Sequence, residues 1–297
     1  MIETFDVTLP NGTTLACRAS GELDAPTLLF LHGFPEGAFI WDDMLEHFGA
    51  RFRCVAPYLR GYGGSSAPAE VSAYRGRELI GDITQLIDQL GGRVAALVAH
   101  DWGGALAWAV AAQHPARLER LVIVNAPHPA TFLRGLQSDP AQQAASAYMN
   151  YLRRDDAHER LAADDFARMW PFFEQLGATD AGGAKWLTDE LRERYRALWR
   201  ISLCGGCNYY RASPLHPPVG PDDPVLTLAL PPEATTVRVP TRVVWGEDDR
   251  ALPIGLLDGL EEHVPELTVV RVPGATHWIV HEQPARIAAE IEAALAA

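Results

Sequence analysis

An aspartate, a second acid and a histidine follow three separate apolar segments of this 297-residue chain, in that order. Asp101 comes just after residues 94–99, in a sharp turn that leads into a helical stretch beginning at residue 105. A side chain at such a turn stands exposed above a sheet, beside backbone N–H groups of the helix, where the nucleophile of a G-x-S-x-G elbow sits. The order nucleophile, acid, base then assigns Asp249 as the orienting acid and His277 as the general base.

Two alternatives remain open at these positions. Asp101 could simply be the N-cap of the helix that follows, since aspartate commonly accepts hydrogen bonds from the first helical N–H groups. Glu247 and Asp248 compete with Asp249, because all three acids follow the strand predicted at residues 241–245. Spacing from the end of that strand favours Asp249.

A fourth part of the site follows the segment at residues 27–31, where the sequence reads HGFPE at residues 32–36. A backbone N–H at this place is expected to stabilise negative charge on a reacting oxygen. We expect the N–H groups of Phe34 and Trp102 to form this oxyanion hole. A plain turn built from glycine and proline is the alternative interpretation of the segment.

The elements that must position these residues alternate between strand and helix. Short apolar segments rich in β-branched residues predict strands at residues 27–31, 54–56, 94–99, 121–124, 241–245 and 267–272. Residues 5–9 and 13–19 flank the turn sequence Pro10-Asn11-Gly12 and predict an antiparallel hairpin. Apolar residues at three- and four-residue spacing predict helices at residues 75–89, 104–114 and 284–296. This alternation is typical of a mostly parallel α/β sheet.

The strand pattern disappears between about residues 129 and 232, where the sequence is helical in pattern and rich in Arg, Tyr and Trp. It resumes at Val237. We therefore predict an all-helical cap at residues 129–236, inserted into a core that consists of residues 1–128 and 237–297. The cap and the core would face each other across a cleft.

Composition excludes several classes of protein. The formal net charge is 25 − 38 = −13, which disfavours binding to nucleic acid or to anionic lipid. We expect neither a membrane span nor a signal peptide, because no tract has about 20 uninterrupted apolar residues and the N-terminus is acidic. The pair Cys204 and Cys207 lacks a partner pair for a zinc site, so both are expected to pack near a helix end. We expect no metal or organic cofactor, and a reducing cytoplasm is the default location.

Together these parts resemble the α/β-hydrolase fold, which implies a mostly parallel eight-stranded sheet with an inserted all-helical cap. The resemblance is to the epoxide hydrolase branch, through HGFPE at residues 32–36 with Trp41 behind it, RGYGGSS at 60–66, HDWGG at 100–104 and NAPHP at 125–129. Residues 148–152 and 208–211 are similar to the cap segments that carry that branch's two ring-opening tyrosines. This implies Tyr151 and Tyr210, with Tyr148 and Tyr209 as the neighbouring candidates.

The resemblance implies hydrolysis of an epoxide to a vicinal diol. An ionised carboxylate can attack an sp³ carbon unaided, whereas the departing alkoxide needs an acid such as a tyrosine, which stays protonated at pH 7. His277, oriented by Asp249, would then activate the water that hydrolyses the ester on Asp101. Four aromatic residues beside these groups predict an apolar pocket for a small hydrophobic epoxide: Phe34, Trp41, Trp102 and Trp278.

Other functions on the same fold stay open. Haloalkane dehalogenases share the HDWG motif and would hold halide with Trp102, but they resemble HGN where this chain has Phe34, which removes a second halide donor. Relatives that defluorinate haloacids have an arginine where Trp102 stands. A ligand receptor without efficient turnover is a further alternative. The sequence leaves open the natural epoxide, its preferred enantiomer, the pathway and whether two copies pair as a homodimer.

Overall fold

The computed structural model describes residues 1–177 and 186–296. Within them, an eight-stranded sheet has the order β1-β2-β4-β3-β5-β6-β7-β8. The strands are β1 (Glu3–Thr8), β2 (Thr14–Ser20), β3 (Thr27–Leu31), β4 (Arg53–Pro57), β5 (Ala96–His100), β6 (Leu121–Val124), β7 (Thr241–Gly246) and β8 (Leu267–Val272). The β1–β2 and β2–β4 pairs are antiparallel and the other five pairs are parallel, which confirms the predicted architecture.

The strands that lead to the HGFPE segment and to Asp101, β3 and β5, lie at the middle of this sheet, whereas β7 and β8, which lead to Asp249 and His277, lie at one end of it. Every residue of β3, β5 and β6 is buried, because helices cover both faces of a parallel sheet. Three of the strands keep their predicted bounds, whereas β5 begins two residues later than predicted and ends at His100. The predicted hairpin is present, and Gly12 supplies the positive φ of +84° that its turn requires.

Helices α1 (Asp42–Phe48), α2 (Gly76–Gln89) and α3 (Asp101–Gln113) connect the strands of the first part of the chain, and α10 (Ile279–Glu282) and α11 (Pro284–Ala296) follow β8. Helix α3 begins at Asp101, three residues before the predicted start, and its N-cap is His100. Asp101 is therefore the first helical residue and does not cap the helix.

The described residues between β6 and β7 form helices and loops. The helices are α4 (Pro129–Ser138), α5 (Pro140–Ala145), α6 (Ala147–Leu152), α7 (Ala157–Phe166), α8 (Met169–Gln175) and α9 (Asp189–Ala212). Residues 178–185 of the predicted cap lie outside the described residues. Helix α9 has 24 residues and crosses over the sheet's carboxyl edge, where Gly205 approaches the backbone of Gly61 so closely that a Cβ would collide with it.

Cys204 and Cys207 both lie within α9 and not near a helix end as predicted. Cys207 is buried, whereas Cys204 is exposed, so the packing prediction is wrong for Cys204. Both thiols are free. In the described part of the chain, no helix combines the length and the apolar character that crossing a bilayer requires.

A buried ion pair joins the loop after β4 to α2 beneath α9. The Arg60 guanidinium donates two hydrogen bonds of 2.7 Å to the carboxylate of Asp82 and a third, also of 2.7 Å, to Thr13. The backbone carbonyl of Arg60 accepts a 2.9 Å hydrogen bond from the hydroxyl of Tyr209 on α9. The pair thus fixes the loop on which part of α9 rests.

Removing the arginine should destabilise the fold strongly. We expect Arg60→Met to lower the free energy of unfolding by about 3–5 kcal/mol, because it leaves the charge of Asp82 buried and unpaired. The measurement is the urea midpoint at pH 7. Arg77→Met is the matched control, since Arg77 makes an exposed ion pair with Glu78 and its loss should barely move the midpoint. Equal midpoints for the two variants would contradict this account of the buried pair.

Candidate active site

Asp101 occupies a strained turn between β5 and α3. Its φ is +50°, in the left-handed region that side chains other than glycine rarely adopt and that costs about 1 kcal/mol or more. The turn fits its surroundings only because glycines lie next to it. A Cβ at Gly33 would be 2.2 Å from the Asp101 carboxylate, and a Cβ at Gly103 would be 2.6 Å from the carbonyl oxygen of His32. The elbow therefore projects the carboxylate out from the sheet edge.

The two oxygens of the Asp101 carboxylate have different surroundings. Oδ1 accepts a 2.7 Å hydrogen bond from the backbone N–H of Phe34. Oδ2 lies 3.8 Å from Nε2 of His277, which is too long for a hydrogen bond. One oxygen is thus held by an N–H of the predicted oxyanion segment, and the other faces the predicted base.

Asp249 holds the opposite edge of the His277 ring. Its Oδ2 lies 2.8 Å from Nδ1 of His277, and its Oδ1 accepts 2.9 Å hydrogen bonds from the backbone N–H groups of Ala251 and Leu252. A carboxylate can only accept here, so Nδ1 carries the proton, and a neutral His277 would have its lone pair on Nε2, towards Asp101. The competing acids lie elsewhere on the loop: Glu247 is half-buried and Asp248 is exposed.

The charges around His277 stabilise its protonated form. Burial alone would lower the pKa of the imidazole, but the carboxylate of Asp249, and after it that of Asp101, raise the pKa to about 9. His277 is therefore an imidazolium at neutral pH as long as Asp101 keeps its negative charge. Any reaction that neutralises Asp101 removes one cause of the raised pKa.

A cavity of about 190 Å³ opens onto Asp101. Its walls are mainly apolar and come from α2, α3, α4, α6, α9 and the loops beside them. They include Ile80, Trp102, Ala105, Leu106, Ala109, Pro127, Phe132, Met149, Leu215 and Leu252. The phenol groups of Tyr148 and Tyr210 also line the cavity, together with Asp101. Within residues 1–177 and 186–296, no three His, Cys, Asp or Glu side chains are grouped so that they could hold a metal ion.

Tyr148, and not Tyr151, lies beside Tyr210 in the cavity. Tyr210 of α9 lines the cavity as expected, but its partner there is Tyr148 of α6 and not Tyr151. The rings of Tyr148 and Tyr210 are 6.1 Å apart. Tyr151 lies almost one helical turn further on, half-buried against the hydrophobic core and close to the exposed Arg154. The motif resemblance indicated α6, whereas the packing of that helix decides which of its tyrosines faces the cavity.

Burial keeps both cavity tyrosines in the protonated state. Loss of solvent raises the pKa of the Tyr148 hydroxyl and of the Tyr210 hydroxyl well above 10, and the nearby charge of Asp101 raises them further. The hydroxyl of Tyr209 instead points away from the cavity, to the carbonyl of Arg60. Two phenolic donors therefore face the same space as the carboxylate.

Three of the four predicted aromatic pocket residues do not line this cavity: Phe34, Trp41 and Trp278. Trp41 is fully buried in the core, 5.4 Å from the ring of Phe30. The ring of Trp278 stacks on that of Phe173 of α8 at a centroid distance of 4.3 Å, and its indole N–H donates to the backbone carbonyl of Phe173. Trp278 thus holds the loop that carries His277 against the helices between β6 and β7. Trp102 does line the cavity.

Phe34 contributes an N–H to Asp101 and the edge of its ring to Tyr210, at a centroid distance of 5.3 Å. Sequence reasoning gave no role to Asn125, the first residue of the NAPHP motif. Its side-chain amide donates a 2.6 Å hydrogen bond to Asp249, and its carbonyl oxygen accepts from the N–H of Gly246. The motif itself was visible in the sequence, but only the fold shows that β6 lies beside β7 and brings this amide to the acid.

Residues 26–284 match the family model described as the alpha/beta hydrolase fold. Epoxide hydrolase 4 of Mus musculus is 31% identical over 272 residues, 90% of this chain and 72% of that protein. The crystal structure of the Bacillus megaterium epoxide hydrolase with an inhibitor is 30% identical, covers 99% of this chain and 100% of its own, and superposes with a TM-score of 0.89. This chain belongs to the α/β-hydrolase family, in its epoxide hydrolase branch.

Other members of the family match along nearly the whole chain. An epoxide hydrolase structure from metagenomes of hot environments is 41% identical, with a TM-score of 0.84 and coverage of 100% of this chain and 99% of that one. An AB hydrolase superfamily protein of Bacillus subtilis is 34% identical over 279 residues, 93% of this chain and 92% of its own. Family membership therefore includes the helical insert as well as the sheet.

Replacing Asp249 should release the proton of His277 at a lower pH. We expect Asp249→Asn to lower the pKa of His277 from about 9 by at least about 1 unit, because the largest contribution that raises it is removed. The wild-type stabilisation is present in full below pH 6.5 and is lost as the pH rises through about 9, so the variant should show a weaker pH dependence of unfolding that ends at a lower pH.

NMR titration of the His277 ring in both proteins is the measurement. Asp248→Asn is the matched control, since it removes an exposed acid from the same loop and should leave the midpoint in place. Equal midpoints in the two variants would mean that Asp249 does not set the charge of His277.

Proposed function

We propose that this chain hydrolyses small hydrophobic epoxides to vicinal diols through an ester on Asp101. The observation that carries the proposal is the presence of two phenolic donors, Tyr148 and Tyr210, in the cavity that contains Asp101. A nucleophilic carboxylate alone would suit any sp³ carbon with a good leaving group. Paired proton donors opposite it suit a leaving group that is released as an alkoxide, which is the case for an epoxide.

In the first step, Asp101 attacks a ring carbon, and the bond between that carbon and the ring oxygen breaks. The ring oxygen accepts a hydrogen bond from one tyrosine and a proton from the other, and the resulting tyrosinate later recovers its proton from solvent. Because burial keeps both phenols protonated, each can donate at neutral pH. The apolar walls exclude water and strengthen these polar interactions with the substrate.

The second step is hydrolysis of the ester, and it needs a base. Esterification neutralises Asp101, which removes one of the charges that raise the pKa of His277 and favours release of its proton. The neutral ring then takes a proton from water, and the hydroxide attacks the ester carbonyl. The N–H of Phe34 stabilises the negative charge on the carbonyl oxygen, as it does on Oδ1 in the free enzyme. When this intermediate collapses, the bond from the carbonyl carbon to the product oxygen breaks and that oxygen takes the proton of the added hydroxyl, so the diol is released, the Asp101 carboxylate is restored and His277 keeps the proton it took from water.

In this proposal the helical insert, residues 129–236, is a cap over the core formed by residues 1–128 and 237–297. It supplies both tyrosines, whereas the core supplies the nucleophile, the acid and the base. A related structure, of a Bacillus megaterium variant, holds (R)-3-[1]naphthyloxy-propane-1,2-diol as its product. An apolar cavity of about 190 Å³ suits an aryl or alkyl epoxide in the same way.

Removing the two hydroxyls should slow ring opening selectively. We expect Tyr148→Phe and Tyr210→Phe each to slow esterification of Asp101 by styrene oxide, and the double variant to slow it by about 10²- to 10⁴-fold, the range for a positioned acid. Intact-mass spectrometry after rapid mixing measures the adduct.

Tyr151→Phe is the matched control, because it removes a hydroxyl from the same helix outside the cavity and should leave the rate within about twofold of wild type. Halide release from 1-bromobutane, measured in parallel, tests the haloalkane alternative. Fast esterification in a folded double variant, or efficient halide release without diol formation, would contradict the epoxide proposal.

A further inference from the structure

A second cluster of titratable side chains lies behind the catalytic residues. Glu36, the last residue of the HGFPE motif, is completely buried. Its Oε1 accepts a 2.7 Å hydrogen bond from the hydroxyl of Tyr195 on α9 and lies 2.7 Å from Nε2 of His281 on α10. The Tyr195 hydroxyl and His281 Nε2 are themselves 2.9 Å apart. A buried carboxylate thus joins the helical insert to the helix that follows the base loop.

The cluster reaches His277 along two routes. His281 is four residues beyond His277, and the short helix α10 begins between them. On the other side of Glu36, Oε2 lies 3.3 Å from Nδ1 of His100, and Nε2 of His100 lies 2.9 Å from the carbonyl oxygen of His277. That carbonyl can only accept, so His100 donates to it. Through His281 and through His100, Glu36 therefore contacts the backbone that directly follows the His277 side chain.

Helix α9 has other anchors to the core besides Tyr195. The indole N–H of Trp199 donates a 2.7 Å hydrogen bond to the carbonyl of Pro35. The hydroxyl of Ser202 accepts from the N–H of Gly63 at 2.9 Å, and Tyr209 donates to Arg60. These three contacts lie between Tyr195 and Tyr210, so loss of the Tyr195 hydroxyl would leave Tyr210 in place.

We propose that Tyr195 is a positioning residue for the His277 base, acting through Glu36 and His281. This inference rests on the proposed function, because the role of His277 as a base belongs to ester hydrolysis. Attack by Asp101 needs Phe34, Tyr148 and Tyr210 but no base. Ester hydrolysis needs Nε2 of His277 aligned with the carbonyl carbon, and small displacements of a catalytic group can cost up to about 10²-fold in rate.

Charge also links the cluster to His277. Although burial disfavours an ionised Glu36, the imidazoles of His281 and then His100 lower its pKa well below the usual value. The resulting carboxylate contributes to the raised pKa of His277. The titratable groups that face Glu36 or Tyr195 are His32, His100, His277, His281 and Arg194. The Tyr195 hydroxyl offsets part of the Glu36 charge, so its removal should raise the pKa of His277.

Tyr195→Phe tests the proposal, since it deletes one hydroxyl and keeps the ring stacked on Trp199. We expect the variant to hydrolyse the styrene oxide adduct about 10-fold more slowly than wild type, with esterification within about twofold. Tyr209→Phe is the matched control, because it deletes another hydroxyl that joins α9 to the core, and it should leave both steps within about twofold. The two steps are separated by following adduct mass in single turnovers.

NMR titration of His277 provides a readout that needs no substrate. We expect its midpoint to rise by about half a unit in Tyr195→Phe and to stay unchanged in Tyr209→Phe. Adduct hydrolysis at the wild-type rate, equal slowing in both variants, or an unchanged His277 midpoint would overturn the proposal. If the wild type forms neither adduct nor diol, the proposed function fails, and the titration alone then decides whether Tyr195 acts on His277. If Tyr195→Phe does not fold, His281→Gln is measured in its place in the same way.

Discussion

The left-handed turn at Asp101 is the constraint on which the rest of the site depends. With a φ of +50°, the residue leaves the end of β5 and enters α3 with its carboxylate projecting above the sheet. That conformation is tolerable only where neighbouring backbone approaches without side chains, which Gly33 and Gly103 allow. The strain is retained because the HGFPE segment, through the N–H of Phe34, and the helix hold the turn from both sides.

In the proposed reaction, the charges around the Asp101 carboxylate determine the order of ring opening and ester hydrolysis. Asp101 and Asp249 face the two nitrogens of His277, and together they keep the ring protonated while both are ionised. In the proposed reaction, the same negative charge that makes Asp101 a nucleophile also keeps His277 protonated and unable to act as a base. In that proposal, formation of the ester removes the charge of Asp101, and the ring can then lose its proton. In the proposed reaction, nucleophile and base do not need to act in the same step.

The sequence predicted the sheet well, because buried parallel strands are short, uniformly apolar and bounded by turn residues, as in β3 and β6. It also selected Asp101, Asp249 and His277, since each follows a strand that the fold must bring to one edge. The sequence indicated Tyr151, whereas Tyr148 lines the cavity, because packing decides which of two residues three positions apart on a helix faces a given space. The Glu36 and Asn125 contacts were missed because they join segments more than 100 residues apart.

The central claim is that, in the first turnover, the oxygen added to the epoxide comes from the Asp101 carboxylate, and that water then replaces this oxygen in Asp101. A single turnover in ¹⁸O-water with enzyme in excess over styrene oxide tests this directly, with mass spectrometry of the diol and of the peptide that contains Asp101. We expect an unlabelled diol and one ¹⁸O atom in the Asp101 carboxylate, because water attacks the ester carbonyl. Label in the diol on the first turnover, with none in Asp101, would contradict the ester mechanism and require direct attack by water.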